Sequence, residues 1–181
     1  MGASNAMRQW NSWGDSATSM AIAPTAQEFL EQLLGVTTPL PDATLEEVKA
    51  RVPASRLPSN PMIHTDAETR IRHARGQSLP DWLAMRSGEF GVFPDGVAFP
   101  TSSAEVAELL ALARKENWTV IPYGGGTSVV GHINPLEDAR PILTLSLARL
   151  NHLIRMDHSA QLATIGAGVC GPELEALLKP H

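Results

Sequence analysis

Three consecutive glycines, Gly124, Gly125 and Gly126, follow the strand-like apolar run Trp118-Thr119-Val120-Ile121-Pro122-Tyr123 and precede two hydroxyl side chains, Thr127 and Ser128. Backbone there is free to adopt positive φ and to approach a ligand closely, because no Cβ stands in the way. Successive N–H groups in such a turn form an anion-binding concavity, and each charge-assisted hydrogen bond contributes roughly 1.5–3 kcal/mol. The stretch is therefore expected to act as a phosphate cradle that needs no lysine. Two nucleotide signatures are excluded. Gly126 and Gly131 have the glycine spacing of G-x-x-x-x-G-K-S/T, but His132-Ile133 follows where Lys-Ser/Thr should stand. Val129 occupies the third glycine position of G-x-G-x-x-G counted from Gly124 and Gly126.

A chain of 181 residues fits one domain or slightly more. Its net charge of −5 leaves no basic footprint for nucleic acid, and the cluster Arg70, Arg72, His73, Arg75 is expected to be a solvated helix face. No apolar run approaches the roughly 18 residues of a membrane span. The single cysteine, Cys170, cannot form an internal disulfide, which fits a reducing compartment and a cytoplasmic location. It sits in the small apolar run Gly166-Ala167-Gly168-Val169 and is expected to be a buried structural thiol. The six histidines lack ligand spacing, so no metal site is expected.

In chain order, residues 1–6 resemble an expression-tag remnant, which places the native start at Met7. An extended arm with Trp10 and Trp13 should anchor onto a larger body. Capping boxes at Thr25/Glu28, Thr44/Glu47 and Ser102/Glu105 each open a helix, Gly35 ends the first, and Ser78 caps another ahead of Pro80 and Trp82. The apolar stripe of the first helix, Phe29, Leu30, Leu33 and Leu34, needs a partner surface, so residues 7–93 read as helical decoration without a core of their own. From Pro94 onward the pattern becomes α/β. A strand at Val97-Ala98-Phe99, a helix carrying Val106, Leu109 and Leu112, and a strand at Thr119-Val120-Ile121 form a βαβ unit with parallel strands. The glycine loop then leaves the carboxyl end of a parallel strand, where open α/β sheets bind ligands. A further strand over 141–147, a hairpin turning at Asp157-His158-Ser159-Ala160, and a helix beginning at Gly171-Pro172 complete the chain.

Taken in order, Pro94-Asp95-Gly96-Val97-Ala98-Phe99-Pro100, the helix from Val106, the glycine loop, Ile142-Leu143-Thr144-Leu145-Ser146-Leu147, and Ala167-Gly168-Val169 with Gly171-Pro172-Glu173-Leu174 resemble the PCMH-type FAD-binding domain of the vanillyl-alcohol-oxidase superfamily. The arm Trp10-Asn11-Ser12-Trp13-Gly14 and the segments Gly76-Gln77-Ser78 and Arg86-Ser87-Gly88 are similar to its branch of alkyldihydroxyacetonephosphate synthases and bacterial FAD-linked oxidases. The resemblance implies an α/β (α+β) fold in which a helical N-terminal region, 7–93, precedes the first FAD-binding subdomain, 94–160, and the start of a second, 161–181.

It further implies that Pro122, Tyr123, Gly124, Gly125, Gly126, Thr127, Ser128 and Val129 hold the FAD pyrophosphate. In relatives that tether flavin, a histidine stands where Thr127 aligns, so FAD is expected to be non-covalent; His132 is expected to be a loop residue facing solvent. The family's catalytic Tyr and His residues and its substrate cap lie beyond what corresponds to His181. The chain therefore reads as a truncated portion that holds FAD weakly or not at all, and no catalytic residue is assigned. The parent is expected to oxidise a 2-hydroxy acid or alcohol through flavin, with a small molecule as its substrate. Alternatives are a synthase-like transferase that uses FAD without net redox, and a non-catalytic nucleotide-binding or interaction module. Uncovered apolar surface would favour a homodimer.

Overall fold

A computed structural model describes residues 8–15, 17–18, 20–36, 38 and 40–180. The expected tag remnant over 1–6, the start at Met7 and the terminal His181 lie outside the described residues. The elements are α1 (Pro24–Leu34), α2 (Leu45–Arg51), β1 (Ile63–His64), α3 (Ala67–Arg72), α4 (Leu79–Ser87), β2 (Gly96–Ala98), α5 (Ser103–Lys115), β3 (Thr119–Tyr123), β4 (Ile142–Ser146), β5 (Leu153–Asp157), β6 (Leu162–Ile165) and α6 (Gly171–Leu178).

The main sheet has the order β1-β2-β4-β3. β2 and β3 both run parallel to β4, and the short β1, which has no hydrophobic periodicity of its own, pairs antiparallel with β2. The parallel β2–α5–β3 unit is present, but its two strands are not neighbours: β4 inserts between them. β4 is buried along its whole length, and its five apolar or small residues can accept strands on both edges. Leu109 and Ala113 of α5 pack with Leu57, Ile63, Ala98, Trp118, Leu143 and Leu145 into one core. β5 and β6 form a separate antiparallel hairpin, as expected.

The N-terminal half is more than decoration. Val48, Ile71, Ala74, Met85, Phe90 and Phe93 form a second buried core, with Trp10 stacked on Phe90 at 6.4 Å between ring centroids. Only one of the two tryptophans is an anchor, since Trp13 is 59% exposed. The arm itself is folded back: Arg8 bridges Asp15 antiparallel, and Gln9 N donates to Gly14 O at 3.0 Å. The two capping boxes at Thr44/Glu47 and Ser78/Asp81 are formed. The first helix instead starts at Pro24 without a side-chain cap, because the fixed φ of proline pre-organises the first turn. At α5, Ser102 Oγ accepts from Glu105 N at 3.2 Å, while the Glu105 carboxylate turns to Thr101 N at 2.7 Å, so only half of that box forms. No residue of α1 is buried, and its apolar stripe lies bare.

The basic cluster is not a solvated face. Arg70 is buried, donating to Pro94 O at 2.6 Å and Pro53 O at 2.7 Å, and Arg75 donates to Phe90 O. Each guanidinium ties a loop carbonyl that no strand partner reaches. Asp95 does the same work with opposite sign. Its carboxylate accepts from Arg56 Nε at 2.9 Å, Arg56 Nη2 at 2.7 Å and Ile142 N at 2.7 Å, fastening the segment before β1 to the start of β4. Burial pushes this carboxyl up, but the Arg56 and Ile142 hydrogen bonds outweigh it and hold it below the usual carboxylate range.

Candidate functional site

The glycine loop leaves β3 at the end of the sheet where the parallel β2 and β4 also finish, and Leu147 N donates to Tyr123 O at 2.9 Å just beyond β4. The eight residues singled out in the sequence lie in one continuous stretch. Pro122 is exposed within β3, Tyr123 ends the strand with its ring buried, Gly124, Gly125, Thr127 and Val129 are exposed, Gly126 is buried and Ser128 is half-buried.

The three glycines are not equivalent. Gly126 alone has positive φ, 69°, and a Cβ there would fall 2.6 Å from Tyr123 Cζ. Conformation and packing both require glycine at that position. Gly124 and Gly125 have neither requirement. A Cβ on Gly124 would meet nothing, and one on Gly125 would meet only Thr127 Cγ2 at 3.6 Å. Among the described residues, no hydrogen bond takes up the N–H groups of Gly125, Gly126 or Thr127. The loop thus presents unused backbone donors beside two positions stripped of side chain, and an anion is the chemistry that suits such a surface.

The rest of the loop is braced from the N-terminal half. Gln77 N donates to Ser128 O at 2.6 Å, and Gly76 lies so close that a Cβ would reach 3.2 Å from the Ser128 carbonyl carbon. Asn134 connects both sides, accepting from Gly76 N at 3.1 Å and donating to Asp81 Oδ1 at 2.6 Å. Tyr123 OH donates to Arg72 O at 3.2 Å, and its ring lies against His73, which also meets Phe99 edge-on at 5.3 Å. Burial pushes the His73 ring below its ordinary pKa against the opposing Thr69 carbonyl, and Arg8 and Arg72 add to the lowering. Burial likewise pushes the Tyr123 phenol up. Both rings are neutral packing elements under the loop at pH 7. Sequence reading missed Asn134 and Asp81, which meet across 53 residues, and placed His73 on a solvated face although its ring packs on Tyr123, 50 residues away.

The hydroxyl partners differ as well. Thr127 is exposed, and Ser128 Oγ lies 3.1 Å from His132 Nδ1 on the exposed loop histidine. An open cleft of about 320 Å³ is lined by Arg8, Trp13, Gly14, Gly125, Thr127 and Cys170. Cys170 is therefore not the buried thiol expected from its neighbours: it is exposed. Gly166 and Gly168 press onto the carbonyls of Leu150 and Leu147, which carries the segment before α6 across to the loop and leaves Cys170 at the cleft. Among the described residues, no group of three or more His, Cys, Asp or Glu side chains is arranged to hold a metal, and no helix is long and apolar enough to cross a membrane.

Residues 94–181 match the family described as FAD binding domain. An alkyldihydroxyacetonephosphate synthase of Dictyostelium discoideum is 38% identical over 113 residues, 62% of this chain and 18% of the relative. A solved structure of an alkyldihydroxyacetonephosphate synthase superposes with a TM-score of 0.82 at 27% identity, covering 96% of this chain and 38% of that one. The mitochondrial D-lactate dehydrogenase (cytochrome) 1 of Saccharomyces cerevisiae is 30% identical over 89 residues, 49% of this chain and 15% of the relative. The chain thus spans well under half the length of each of these proteins.

Proposed function

We propose, from the premise that residues 94–181 belong to the FAD binding domain family, that residues 122–129 hold the pyrophosphate of dissociable FAD as part of a flavoenzyme. The observation that carries this reading is the bare pair Gly124 and Gly125 beside unpartnered N–H groups at the end of a parallel strand. FAD is an anion there, and its two phosphates need several donors at close range. The exposed Thr127 and the half-buried Ser128 add hydroxyl donors, while Pro122 and Val129 frame the turn. FAD, when bound, supplies the redox or group-transfer chemistry, and the chain's own part is to bind and orient it.

Within that class, the reading favoured is a transferase like the alkyldihydroxyacetonephosphate synthases, performing an ether-forming exchange without net redox. The likeness to the synthase structure runs through the helices before residue 94, whereas the likeness to the D-lactate dehydrogenase covers 49% of the chain. The second reading, oxidation of a 2-hydroxy acid or alcohol, rests on that dehydrogenase likeness. The test is to purify the full-length gene product, record its flavin absorbance, and add 2-hydroxy acids without oxygen. A yellow protein that releases free flavin on denaturation and is not bleached supports the first reading. Bleaching by a hydroxy acid would replace it with the second, and a folded colourless protein that takes up no FAD would overturn both.

A further inference from the structure

We infer that the N-terminal arm, residues 8–15, is the second wall of the dinucleotide cleft, with Arg8 as the cation that faces the diphosphate. The inference rests on the FAD reading above and extends it to a segment outside the matched domain.

Arg8 Nη1 donates to Gly125 O at 3.0 Å, joining positions 117 residues apart. The bond holds the Gly125 carbonyl, and with it the plane of the Gly125–Gly126 peptide, in one orientation. That bond uses one of the five guanidinium donors, and the Tyr123 hydroxyl is a second neighbour of the same side chain. The arm is itself held in place. The Arg8–Asp15 bridge folds it, Arg72 Nη1 donates to Arg8 O at 2.8 Å, and Trp10 stacks on Phe90.

Charge points the same way. Arg51, Arg56, Arg72, Arg75, Arg86, Arg140 and Arg155 each pair with a carboxylate; among the described residues Arg8, like Arg70, Arg114 and Arg149, has no carboxylate within ion-pair distance, and of these four it alone lines the cleft at the glycine loop. Its charge is uncompensated, and no acidic side chain lines the cleft it shares with Trp13, Gly125 and Thr127. Behind the arm, a second hollow of about 220 Å³ is lined by Arg8, Arg72, His73, Arg75 and Tyr123; there Arg72 and Arg75 are already paired with Glu68 and Asp81, which leaves Arg8 as the unpaired cation of that lining. An exposed guanidinium fixed on a loop that has unused amide donors suits a diphosphate carrying two negative charges.

The experiment uses the full-length protein with wild-type, Arg8→Gln and Arg8→Lys sequences, titrated with FAD and with riboflavin at low and high salt. Arg8→Gln should weaken FAD about tenfold or more at low salt. Arg8→Lys should keep most of the affinity, and the gap should narrow as salt screens the charge. Riboflavin, which has no phosphate, should bind all three alike. If Arg8→Gln binds FAD as wild type does, or if both variants lose FAD and riboflavin equally, the arm is only structural and the inference falls while the cofactor reading stands. Wild-type protein with no affinity for FAD would overturn the cofactor reading itself.

Discussion

On its inner side the glycine loop meets protein everywhere: Gly126 against the Tyr123 ring, Ser128 O against Gly76 and Gln77, and Asn134 between Gly76 and Asp81. On its outer side a Cβ added to Gly124 would touch nothing and one on Gly125 only a methyl group, Gly125 O is held by Arg8, and among the described residues the N–H groups of Gly125, Gly126 and Thr127 have no acceptor. The same residue type therefore serves two purposes four ångströms of backbone apart, on the order of one peptide step. Inside, glycine is demanded by the fold. Outside, the fold makes no demand for it, which is the ground for the pyrophosphate role proposed above. Substitutions should separate the two sides by whether they cost stability or affinity.

The largest loss of stability is expected at Gly126→Val. A β-branched residue would have to hold positive φ and displace the Tyr123 ring, which in turn is fastened to Arg72 O. Overpacking and the left-handed conformation together should cost about 3 kcal/mol. Chemical denaturation of the variant would measure it, and a change below about 0.5 kcal/mol would erase the distinction between the two sides.

A smaller loss is expected at Asn134→Ala. The change deletes no apolar volume of note but leaves Gly76 N–H and the buried Asp81 Oδ1 without their shared partner. Unsatisfied buried groups of this kind cost about 2 kcal/mol. The loop would lose one of its ties to the N-terminal half, with the Gln77 N–Ser128 O bond remaining, so thermal unfolding should show a lower Tm while the far-ultraviolet spectrum of the folded protein stays unchanged.

Much of this architecture was legible because it is local. Hydrophobic spacing placed α5 and α6, the Thr44/Glu47 and Ser78 caps placed α2 and α4, and the switch to strand-like runs at Pro94 placed the parallel sheet and the loop at its end. What was not legible depends on pairing across the chain. β1 is two residues long and exists because β2 offers an edge. β4 enters between β2 and β3 because its side chains suit burial on both faces, which order along the chain does not encode. The arginines read as solvated because charge predicts exposure on average, yet Arg70 is buried by two carbonyls that lie 17 and 24 residues away. Cys170 read as buried from its small apolar neighbours, but those glycines serve to press the backbone onto Leu147 and Leu150, while Cys170 itself is exposed.

The smallest stability effect is expected at Gly124→Ala, and it is the most informative. Its φ is not in the left-handed region, and an added methyl would meet no atom of the chain. Alanine also restricts the unfolded backbone, so stability should stay within about 0.5 kcal/mol of the wild type or rise slightly. Any cost must then come from a ligand. A methyl group standing where a pyrophosphate approaches the backbone would lengthen several hydrogen bonds at once. FAD affinity should fall at least tenfold, about 1.4 kcal/mol, with riboflavin affinity unaffected. Equilibrium titration of the full-length protein with both flavins would read the difference. A variant as stable as wild type that binds FAD equally well would mean that the outer glycines are no more than a surface turn.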